Sequence, residues 1–418
     1  MAQSQTDIAV IGAGPQALTL ITHLLQKSKR MRERLNAGFS PGFQVFDPSG
    51  GWLTQWHRQF AAQEIRHLRS PAVHHPDCNP GSLRTFASHR VDELYDPFSR
   101  PGTKLFRDFC ETVIDRWHLR DQVTQAKVVG LSPLQRGFRL TLADGQTVSA
   151  RRVVIATGAA KAKVPDWAEQ VSDYPPERLC HEQAVSLPSL PSLSGETVLI
   201  VGGGLSSAHL AMGALTRGAK VLVMGRRTFQ EKIFDAEPGW LGPKYLKGFN
   251  AEPDWEKRWQ MIQQARDGGS FTPEMLTRLR KFSRDGRVFL YEQCQVTRAV
   301  WQEDHWQVQC DNQTVHDCFA HQSIDRIWLA TGTGSDITAH PLLQEVMAQH
   351  PIDVVNGLPV LDQYLRWPGC ELFVMGPWSA LRVGPVARNL FGAKLACERI
   401  VPALTKSSLS FARTHRGQ

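Results

Sequence analysis

A short apolar run that stops at a glycine-rich turn, close to the start of the chain, constrains the fold more than any other stretch. Residues 8–17 read IAVIGAGPQA, so that a strand-like run leads into Gly12 and Gly14 follows two positions later. Gly12 permits a tight turn, Gly14 lets backbone amides approach a phosphate, and Ala17 is small enough for a helix to pack on the strand. The pattern predicts a unit that binds a dinucleotide pyrophosphate at a helix N-terminus, with a plain strand–turn–helix as the alternative.

The next strand-like run, GFQVFD, ends in an acidic residue. Asp47 follows Gly12 by 47 − 12 = 35 positions, which exceeds the usual spacing of about 20. The excess is the basic segment 26–42, which predicts a longer first helix followed by a loop. Because a carboxylate at this strand end accepts hydrogen bonds from a free ribose hydroxyl, Asp47 is predicted to contact the adenosine of the dinucleotide.

Composition limits the class of protein. The 418 residues are 42% hydrophobic and 21% charged, and no apolar run reaches the length of a membrane span, which takes about 20 residues. We therefore expect two or three globular domains in the cytoplasm, without a membrane span. The net charge is +8, but the basic residues are spread out except at 27–34 and in the tail 406–418. This distribution favours an ordinary solvated surface, with some attraction for anionic cofactors, over a nucleic-acid partner.

Cysteine and histidine patterns exclude several kinds of site. The eight cysteines include no CxxC pair, which argues against a disulfide framework, a zinc site and a dithiol relay. His67, His74 and His75 lie in a proline-rich stretch without a carboxylate or cysteine at a suitable spacing, so no metal site is predicted. Just before it, Trp52, Trp56 and His57 lie in a segment that we interpret as a glycine-rich loop. Its aromatic side chains either stack on a flat ring or cap the core.

The chain repeats the same order of features. Residues 103–119 have the periodicity of an amphipathic helix, and three strand-like runs follow, the last ending in Ala-Thr-Gly at Gly158. After a proline-rich linker at 161–194, a second fingerprint appears in TVLIVGGGLSSAHLA, with Gly202, Gly204 and Ser207 at its three positions. Another group of three strands ends in Ala-Thr-Gly at Gly332. Two copies in the same order indicate two nucleotide-binding units.

The residues that close the second strand of each copy differ in charge. The first copy has Asp47, whereas the second has Arg226 and Arg227. An aspartate suits the free ribose of FAD, and an arginine pairs with the 2′-phosphate of NADPH. Ordinary surface charge is the alternative for the two arginines, of which Arg226 is nearer to the strand end.

Two further segments lie outside the repeat. Residues 229–287 are too long for a simple crossover and predict a helical insertion in the second unit, which either covers a substrate or mediates self-association. Near the C-terminus, a strand meets Gly376, and a second Gly-Pro pair at Pro385 is predicted to open the last helix. The free amides of that helix would favour the negative charge of a reduced flavin.

With these features in place, the chain resembles the flavoproteins with two dinucleotide-binding domains, and within them the class B flavin-dependent monooxygenases of the lysine/ornithine N-hydroxylase type. The local matches are GAGPQAL at Gly12, Trp56-His57, LRSP at Leu68, RPGTKLFRDFC at Arg100, PERLCH ending at His181, and VGGGLSSAH at Val201. The resemblance implies an α/β fold of two Rossmann-like three-layer ββα domains. Residues 1–165 and 325–418 would form a discontinuous FAD domain, and 190–324 an inserted NADPH domain.

The resemblance also implies a chemistry. NADPH would reduce FAD, and a C4a-peroxyflavin formed with dioxygen would oxygenate a small nucleophile such as an amine. His57 and Gln63 would lie near the flavin with Trp56, and His181 near the domain junction. The segment before Arg100 does not match the amino-acid-binding part of the N-hydroxylases, so the resemblance does not specify lysine or ornithine.

Two other functions stay open at this stage. The first is an NAD(P)H:acceptor oxidoreductase that passes electrons on without oxygenation. The second is a redox-sensing or scaffold protein that binds the nucleotides and presents the insertion to a partner. The oligomeric state is also left open by the sequence.

Overall fold

The computed structural model describes residues 4–35, 42–158, 161–319 and 322–405. Most of the loop predicted within 26–42 and the whole basic tail at 406–418 lie outside the described residues. The strands are β1 Ser4–Ile11, β2 Phe43–Asp47, β3 Leu94–Tyr95, β4 Arg100–Pro101, β5 Val123–Gln125, β6 Val128–Pro133, β7 Phe138–Leu142, β8 Thr147–Ile155, β9 Lys161–Ala162, β10 Leu179–His181, β11 Thr197–Val201, β12 Lys220–Gly225, β13 Val288–Glu292, β14 Val296–Gln302, β15 His305–Cys310, β16 Arg326–Leu329, β17 Thr333–Gly334, β18 Val354–Val355, β19 Leu358–Pro359 and β20 Leu372–Val374.

The α-helices alternate with these strands in most of the chain. They are α1 Pro15–Leu35, α2 Thr54–Ala62, α3 Ser82–Phe86, α4 Thr103–Arg116, α5 Asp166–Glu169, α6 Leu205–Thr216, α7 Pro243–Ala251, α8 Trp255–Arg266, α9 Pro273–Arg284, α10 Gln313–Phe319, α11 Gln344–Gln349, α12 Ala380–Val383 and α13 Leu390–Leu404. None of the helices in the described ranges has the length and apolar character that crossing a bilayer requires.

The first sheet is assembled from both ends of the chain. Its strands lie in the order β5-β2-β1-β8-β7-β6, and β20 adds to β8. The long strand β8 pairs with three strands. Along one edge it runs parallel to β1, and along the other its first half pairs antiparallel with β7 and its second half parallel with β20. The last described strand, β20, is therefore separated only by β8 from β1, which leads into the first glycine turn.

The second sheet is parallel throughout, in the order β10-β16-β11-β12-β13. Strands buried on both faces read as continuous apolar runs, and β11 and β12 do so. Along β11, Val198 and Ile200 join the core shared with α6 and α9, whereas Leu199 joins the core shared with the β14–β15 hairpin. Helices, sheet and hairpin form three layers, which confirms the predicted ββα arrangement.

The structure corrects several sequence-based interpretations. The segment with Trp56 and His57 was interpreted as a loop, but both residues lie on helix α2. Strand β10, within the predicted linker, and strand β13 were missed, because each is short and has no alternation that the sequence reveals. The sequence pattern does not predict β5 either, whereas β1, β2, β6, β7, β8, β11, β12, β14, β15 and β16 lie where it predicts strands.

Pro385 does not open the last helix. The last helix, α13, begins at Leu390, after Asn389. Gly384 has φ +94° and ends the short helix α12, so the chain turns through residues 384–389 before the helix starts. The Gly-Pro pair marks this turn, which the sequence pattern did not distinguish from a helix start.

The predicted insertion at 229–287 contains three helices that divide between two cores. Helix α9 packs on the second sheet through Met275, Leu276 and Leu279. In contrast, Trp240, Phe249 and Ile262 belong to the core of the first unit. The segment therefore bridges the two units.

The predicted domain bounds stay a prediction. The second sheet includes β10 and β16, which lie on either side of the predicted range 190–324. The first sheet receives β20 from the predicted C-terminal part of the FAD domain.

Candidate functional site

The first glycine turn lies at the carboxyl end of β1. Gly12 has φ +102°, and a methyl group on it would lie 2.8 Å from the carbonyl oxygen of Ala156. The backbone amide of Gly12 donates to the oxygen of Phe46 at 2.8 Å, and that of Ala156 donates to Ile11 at 2.9 Å. Glycine is therefore required here both by the backbone conformation and by the close approach of the Ala-Thr-Gly strand.

Asp47 is bound to this turn. Its Oδ2 accepts the backbone N–H of Ala13 at 3.0 Å, and its Oδ1 accepts the backbone N–H and the hydroxyl of Ser49. A carboxylate has about four acceptor positions, so one on Oδ2 is left for a ribose hydroxyl. The side chain is half-buried, at the strand end where the sequence predicts a ribose contact.

Open space follows three adjacent strands of the first sheet. Gly14, Gly158 and Gly376 come after β1, β8 and β20, and a methyl group on any of them would meet no heavy atom within 4 Å. Ligands of open α/β sheets bind outside the carboxyl ends of the strands. This edge therefore offers an accessible backbone surface beside the start of α1, where Ala17 is fully buried against the sheet.

The two tryptophans predicted beside the nucleotide have different surroundings. Trp52 is 6% exposed, and its indole N–H donates to the oxygen of Leu119 at 2.8 Å. This environment favours the core-capping alternative for Trp52. Trp56 is half-buried and stacks on Phe60, with ring centroids 4.0 Å apart.

His57 and Gln63 stand at the two ends of the α2 segment. The Nε2 atom of His57 is buried without a hydrogen-bond partner among the described residues. Burial, followed by the charge of Arg107, lowers the pKa of His57. Gln63 is 3% exposed, and its amide donates to the oxygen of Glu182 at 3.5 Å. Gln63 therefore lies between the two nucleotide-binding units.

The second glycine turn has the same backbone connections as the first. The amide of Gly202 donates to Met224 at 2.8 Å, and that of Ala330 donates to Val201 at 2.9 Å. A methyl group on Gly202, whose φ is +151°, would lie 2.2 Å from the oxygen of Ala330. The Ala-Thr-Gly motif occurs twice because its alanine carbonyl packs against the first glycine of each fingerprint.

Ser207 occupies the third fingerprint position of this turn. It is fully buried, and its hydroxyl donates to the oxygen of Gly202 at 2.7 Å. This bond satisfies a carbonyl of the turn itself, so Ser207 contributes to the shape of the turn.

The chain itself covers the second turn. A methyl group on Gly269 would lie 2.9 Å from Cα and 3.1 Å from N of Gly204, so the two backbones are in direct contact. The ring of Phe229 approaches Gly203 and Gly225 from another side. We call residues 268–270 the cover. In this structure the cover lies where the fingerprint would receive a pyrophosphate.

Arg69 holds the cover from the first unit. Its guanidinium donates to the hydroxyl of Ser270 at 2.8 Å and to the Ser270 oxygen at 3.2 Å. It also donates to the oxygens of Lys232 and Ile233 and to Asp235 Oδ1 at 3.1 Å. Arg69 lies within the LRSP match, which assigns no role to its side chain. Arginine, with its five donors, is suited to such a junction.

Of the two arginines that follow β12, one forms an ion pair in the described residues and the other does not. Arg227 Nη1 lies 3.1 Å from Asp267 Oδ1, next to the cover. Arg226 is exposed, and no ion pair or hydrogen bond engages its side chain within the described part of the chain. Arg226 is therefore available to a phosphate, as the sequence predicts for this position.

His181 contacts the last residue of the second Ala-Thr-Gly motif. Its Nε2 lies 3.0 Å from the oxygen of Gly332, and its Nδ1 accepts the backbone N–H of Gln183 at 3.3 Å. Because a carbonyl oxygen can only accept, Nε2 donates to Gly332. His181 therefore positions Gly332, where a methyl group would meet no heavy atom within 4 Å.

The predicted residues thus gather along two strand edges. Gly12, Gly14, Asp47, Gly158 and Gly376 lie together at the first edge. Gly202, Gly204, Arg226 and Gly332 lie at the second. Pro385 lies in the turn before α13, where its oxygen accepts from Arg266 at 3.3 Å. The described residues contain no group of three or more histidine, cysteine or acidic side chains arranged for a metal.

Comparisons with known proteins agree with this architecture. Residues 9–160 match a family model described as FAD-NAD(P)-binding, and residues 96–266 match a pyridine nucleotide-disulphide oxidoreductase model. No curated protein sequence matches the chain.

Three solved structures illustrate the likeness, and each covers 96% of this chain. The ornithine N-hydroxylase of Kutzneria sp. 744 has 16% identity, 99% of its own chain covered and a TM-score of 0.76. The cadaverine monooxygenase of Erwinia amylovora has 16% identity, 95% covered and a TM-score of 0.75. The ornithine hydroxylase of Pseudomonas aeruginosa has 17% identity, 98% covered and a TM-score of 0.75. The chain therefore has the fold of the flavin-dependent monooxygenases with two dinucleotide-binding domains.

Proposed function

We propose that this protein is an FAD- and NADPH-dependent monooxygenase that hydroxylates a small amine. The observation that carries the proposal is the likeness, over 96% of the chain, to the ornithine and cadaverine hydroxylases. Two fingerprint units with opposite charges after their second strands support it, because they suit two different dinucleotides. Dioxygen would be the second substrate and the cytoplasm the location, which the free cysteines of the described residues support.

The first unit fits FAD. Gly14, Gly158 and Gly376 leave the backbone open along one strand edge, and the N-terminus of α1 provides amides for the pyrophosphate. Asp47 would accept the ribose hydroxyl through the free position on Oδ2. Bound there, FAD would accept a hydride from NADPH and, once reduced, would activate dioxygen.

The second unit fits NADPH through Arg226 and requires a movement of the cover. The Arg226 guanidinium is free to pair with the 2′-phosphate, whereas the backbone of Gly269 lies against Gly204, the second glycine of the fingerprint. His181 would fix Gly332 at the junction, and Gln63 would link the two units there. These residues position the two dinucleotides and exclude water between them.

The overall reaction balances as R–NH₂ + O₂ + NADPH + H⁺ → R–NHOH + NADP⁺ + H₂O. The test is to purify the protein, measure bound flavin, reduce it anaerobically with NADPH and then add oxygenated buffer with cadaverine, L-ornithine or L-lysine. We expect flavin bleaching by NADPH and about one hydroxylamine per NADPH with at least one amine.

Two results would contradict the proposal in different ways. Reduction of a dye or quinone by NADPH without an oxygenated product from any amine would identify an acceptor oxidoreductase. A protein that retains no flavin and has no turnover would leave only the nucleotide-binding scaffold alternative.

A further inference from the structure

One acidic side chain in the described residues is buried and has an oxygen without a hydrogen-bond partner. Glu182 follows His181 directly and is 7% exposed, which makes it the one acidic residue in the buried set. Its Oε2 atom is fully buried and has no hydrogen-bond partner in the part of the chain that the structure describes. No ion pair there involves its carboxylate.

The buried arginines of the described residues all form hydrogen bonds through their guanidinium groups. Each of the four donates to an acceptor: Arg100 to the oxygen of Asp96, Arg152 to Asp7, Arg258 to the oxygen of Leu381, and Arg326 to Glu196. A buried charge without a partner is costly, so such groups are rare in structural roles. Within the described part of the chain the Glu182 carboxylate has no such partner, so its Oε2 is available to accept a hydrogen bond.

The position of Glu182 is at the junction of the two units. Its backbone N–H donates to Leu329 at the end of β16, so it lies at the carboxyl edge of the second sheet. Its backbone oxygen accepts the amide of Gln63 from the first unit. The neighbouring His181 contacts Gly332 at the same edge. This edge is where ligands enter folds of this kind.

We infer that the Glu182 carboxylate binds the ammonium group of the substrate, an inference that rests on the proposed function. A charge-assisted hydrogen bond from the ammonium group would satisfy the buried Oε2 atom. The substrate class is a primary amine that is cationic at neutral pH.

The test compares wild type with Glu182→Gln, which keeps the shape but removes the charge, and with Glu182→Ala. Glu177→Gln is the matched control, because Glu177 is exposed and lies just before β10. Binding of cadaverine, L-ornithine, L-lysine and n-butylamine to the oxidised, FAD-loaded protein is measured by titration calorimetry at pH 7. We expect Glu182→Gln and Glu182→Ala to weaken binding of at least one of these amines by about tenfold or more, the size expected for a lost charge-assisted hydrogen bond. Glu177→Gln should change it less than about twofold.

A second readout does not depend on the amine. Because an unpaired buried carboxylate destabilises the substrate-free protein, Glu182→Gln should raise the thermal unfolding midpoint of the FAD-loaded protein. A purely structural Glu182 would instead give a lower midpoint.

The possible results separate this inference from the proposed function. Equal amine affinity in wild type and Glu182→Gln, with hydroxylation by both, overturns the role of Glu182 and keeps the monooxygenase. A lower midpoint in Glu182→Gln with unchanged amine affinity overturns it as well. If no amine binds the FAD-loaded wild type and none is hydroxylated, both proposals fail.

Discussion

The two glycine turns of this protein share their backbone connections but differ in what lies above them. In each, the first glycine donates to the second strand and packs against the alanine carbonyl of an Ala-Thr-Gly motif. Space above Gly14 in the first turn is open, whereas Gly204 in the second is in contact with Gly269. The fingerprint thus determines the turn, and distant segments of the chain determine whether the turn is accessible.

The same comparison explains the long insertion. In the first unit, the segment after β2 contacts the glycine turn through Leu53, whose backbone N–H donates to the oxygen of Ala13 at 2.8 Å, but it leaves Gly14 open. In the second unit, residues 229–287 cross to the core of the first unit and come back over the turn, where Arg69 holds them. Access to the second nucleotide site is therefore coupled to the contact between the units.

The largest expected effect tests what the two turns share. Gly202→Ala would place a methyl group 2.2 Å from the Ala330 oxygen, and Gly12→Ala would place one 2.8 Å from Ala156. Both contacts are with backbone and both φ angles are positive. We therefore expect Gly202→Ala to lower the free energy of unfolding by roughly 3 kcal/mol or more. The loss at Gly12 should be smaller. Urea unfolding measures both.

The control for this pair is Gly248→Ala. Gly248 lies within α7, and a methyl group there meets no atom within 4 Å. Alanine is favoured over glycine in a helix by up to about 1 kcal/mol, so this variant should be at least as stable as wild type. A Gly202→Ala protein as stable as Gly248→Ala would mean that the alanine carbonyl is not held against the turn.

The second prediction concerns one histidine in each unit, His74, which is buried, and His209, which is half-buried. Burial, followed by the charges of His75 and Lys394, lowers the pKa of His74 to about 4. Burial, with His67 and Arg278 as lesser causes, lowers the pKa of His209 to about 4. The unfolded chain binds protons near pH 6.5 and the folded chain only near pH 4, so stability is complete above 6.5 and is lost as the pH falls.

His74 is 9% exposed. Its protonation in the unfolded chain should lower the free energy of unfolding by about 2 kcal/mol between pH 7 and pH 5. Urea unfolding of wild type and His74→Gln at the two pH values measures it, since the variant should lose less stability. If both proteins lose the same amount, His74 is not neutral in the folded state. His209→Gln repeats the test in the second unit.

Sequence reasoning predicted the parts of this protein that repeat at regular spacing. Both glycine turns, both Ala-Thr-Gly strands and helix α4 follow from periodicity and from glycine placement. Strand β10 escaped because three residues carry no period, and Pro385 misled because a Gly-Pro pair suits a turn as well as a helix start.

The cover and Glu182 were beyond sequence reasoning for a different reason. The contact between Gly204 and Gly269 joins residues 65 positions apart (269 − 204 = 65), and Arg69 reaches Ser270 across a still longer separation. Nothing local in the chain encodes such contacts. Glu182 carries no sequence signal, because burial without a partner is visible only in three dimensions.

The third prediction tests the charge difference between the two units. Arg226→Ala should raise the KM for NADPH by about tenfold and leave that for NADH nearly unchanged, because a guanidinium–phosphate pair is lost only with NADPH. Arg227→Ala is the control, since Arg227 is already paired with Asp267 and should have the smaller effect. Steady-state kinetics with both cofactors measures this. Equal changes for NADPH and NADH would remove Arg226 from the phosphate site.

The smallest effect concerns the cover. Gly269→Ala would place a methyl group 2.9 Å from Cα of Gly204, so the cover must shift away from the turn. We expect a modest loss of stability, on the order of 1 kcal/mol, since residues 268–270 are held mainly by Arg69. The dissociation constant for NADP⁺ should fall, because a turn that is already uncovered binds without first displacing the cover. Gly242→Ala, at an open position in the same insertion, should leave the dissociation constant unchanged.

Titration calorimetry of the FAD-loaded proteins decides between two roles for this segment. Weaker binding in Gly269→Ala would mean that residues 268–270 contact the bound dinucleotide, and that the second turn differs from the first in needing a backbone from elsewhere in the chain to complete it.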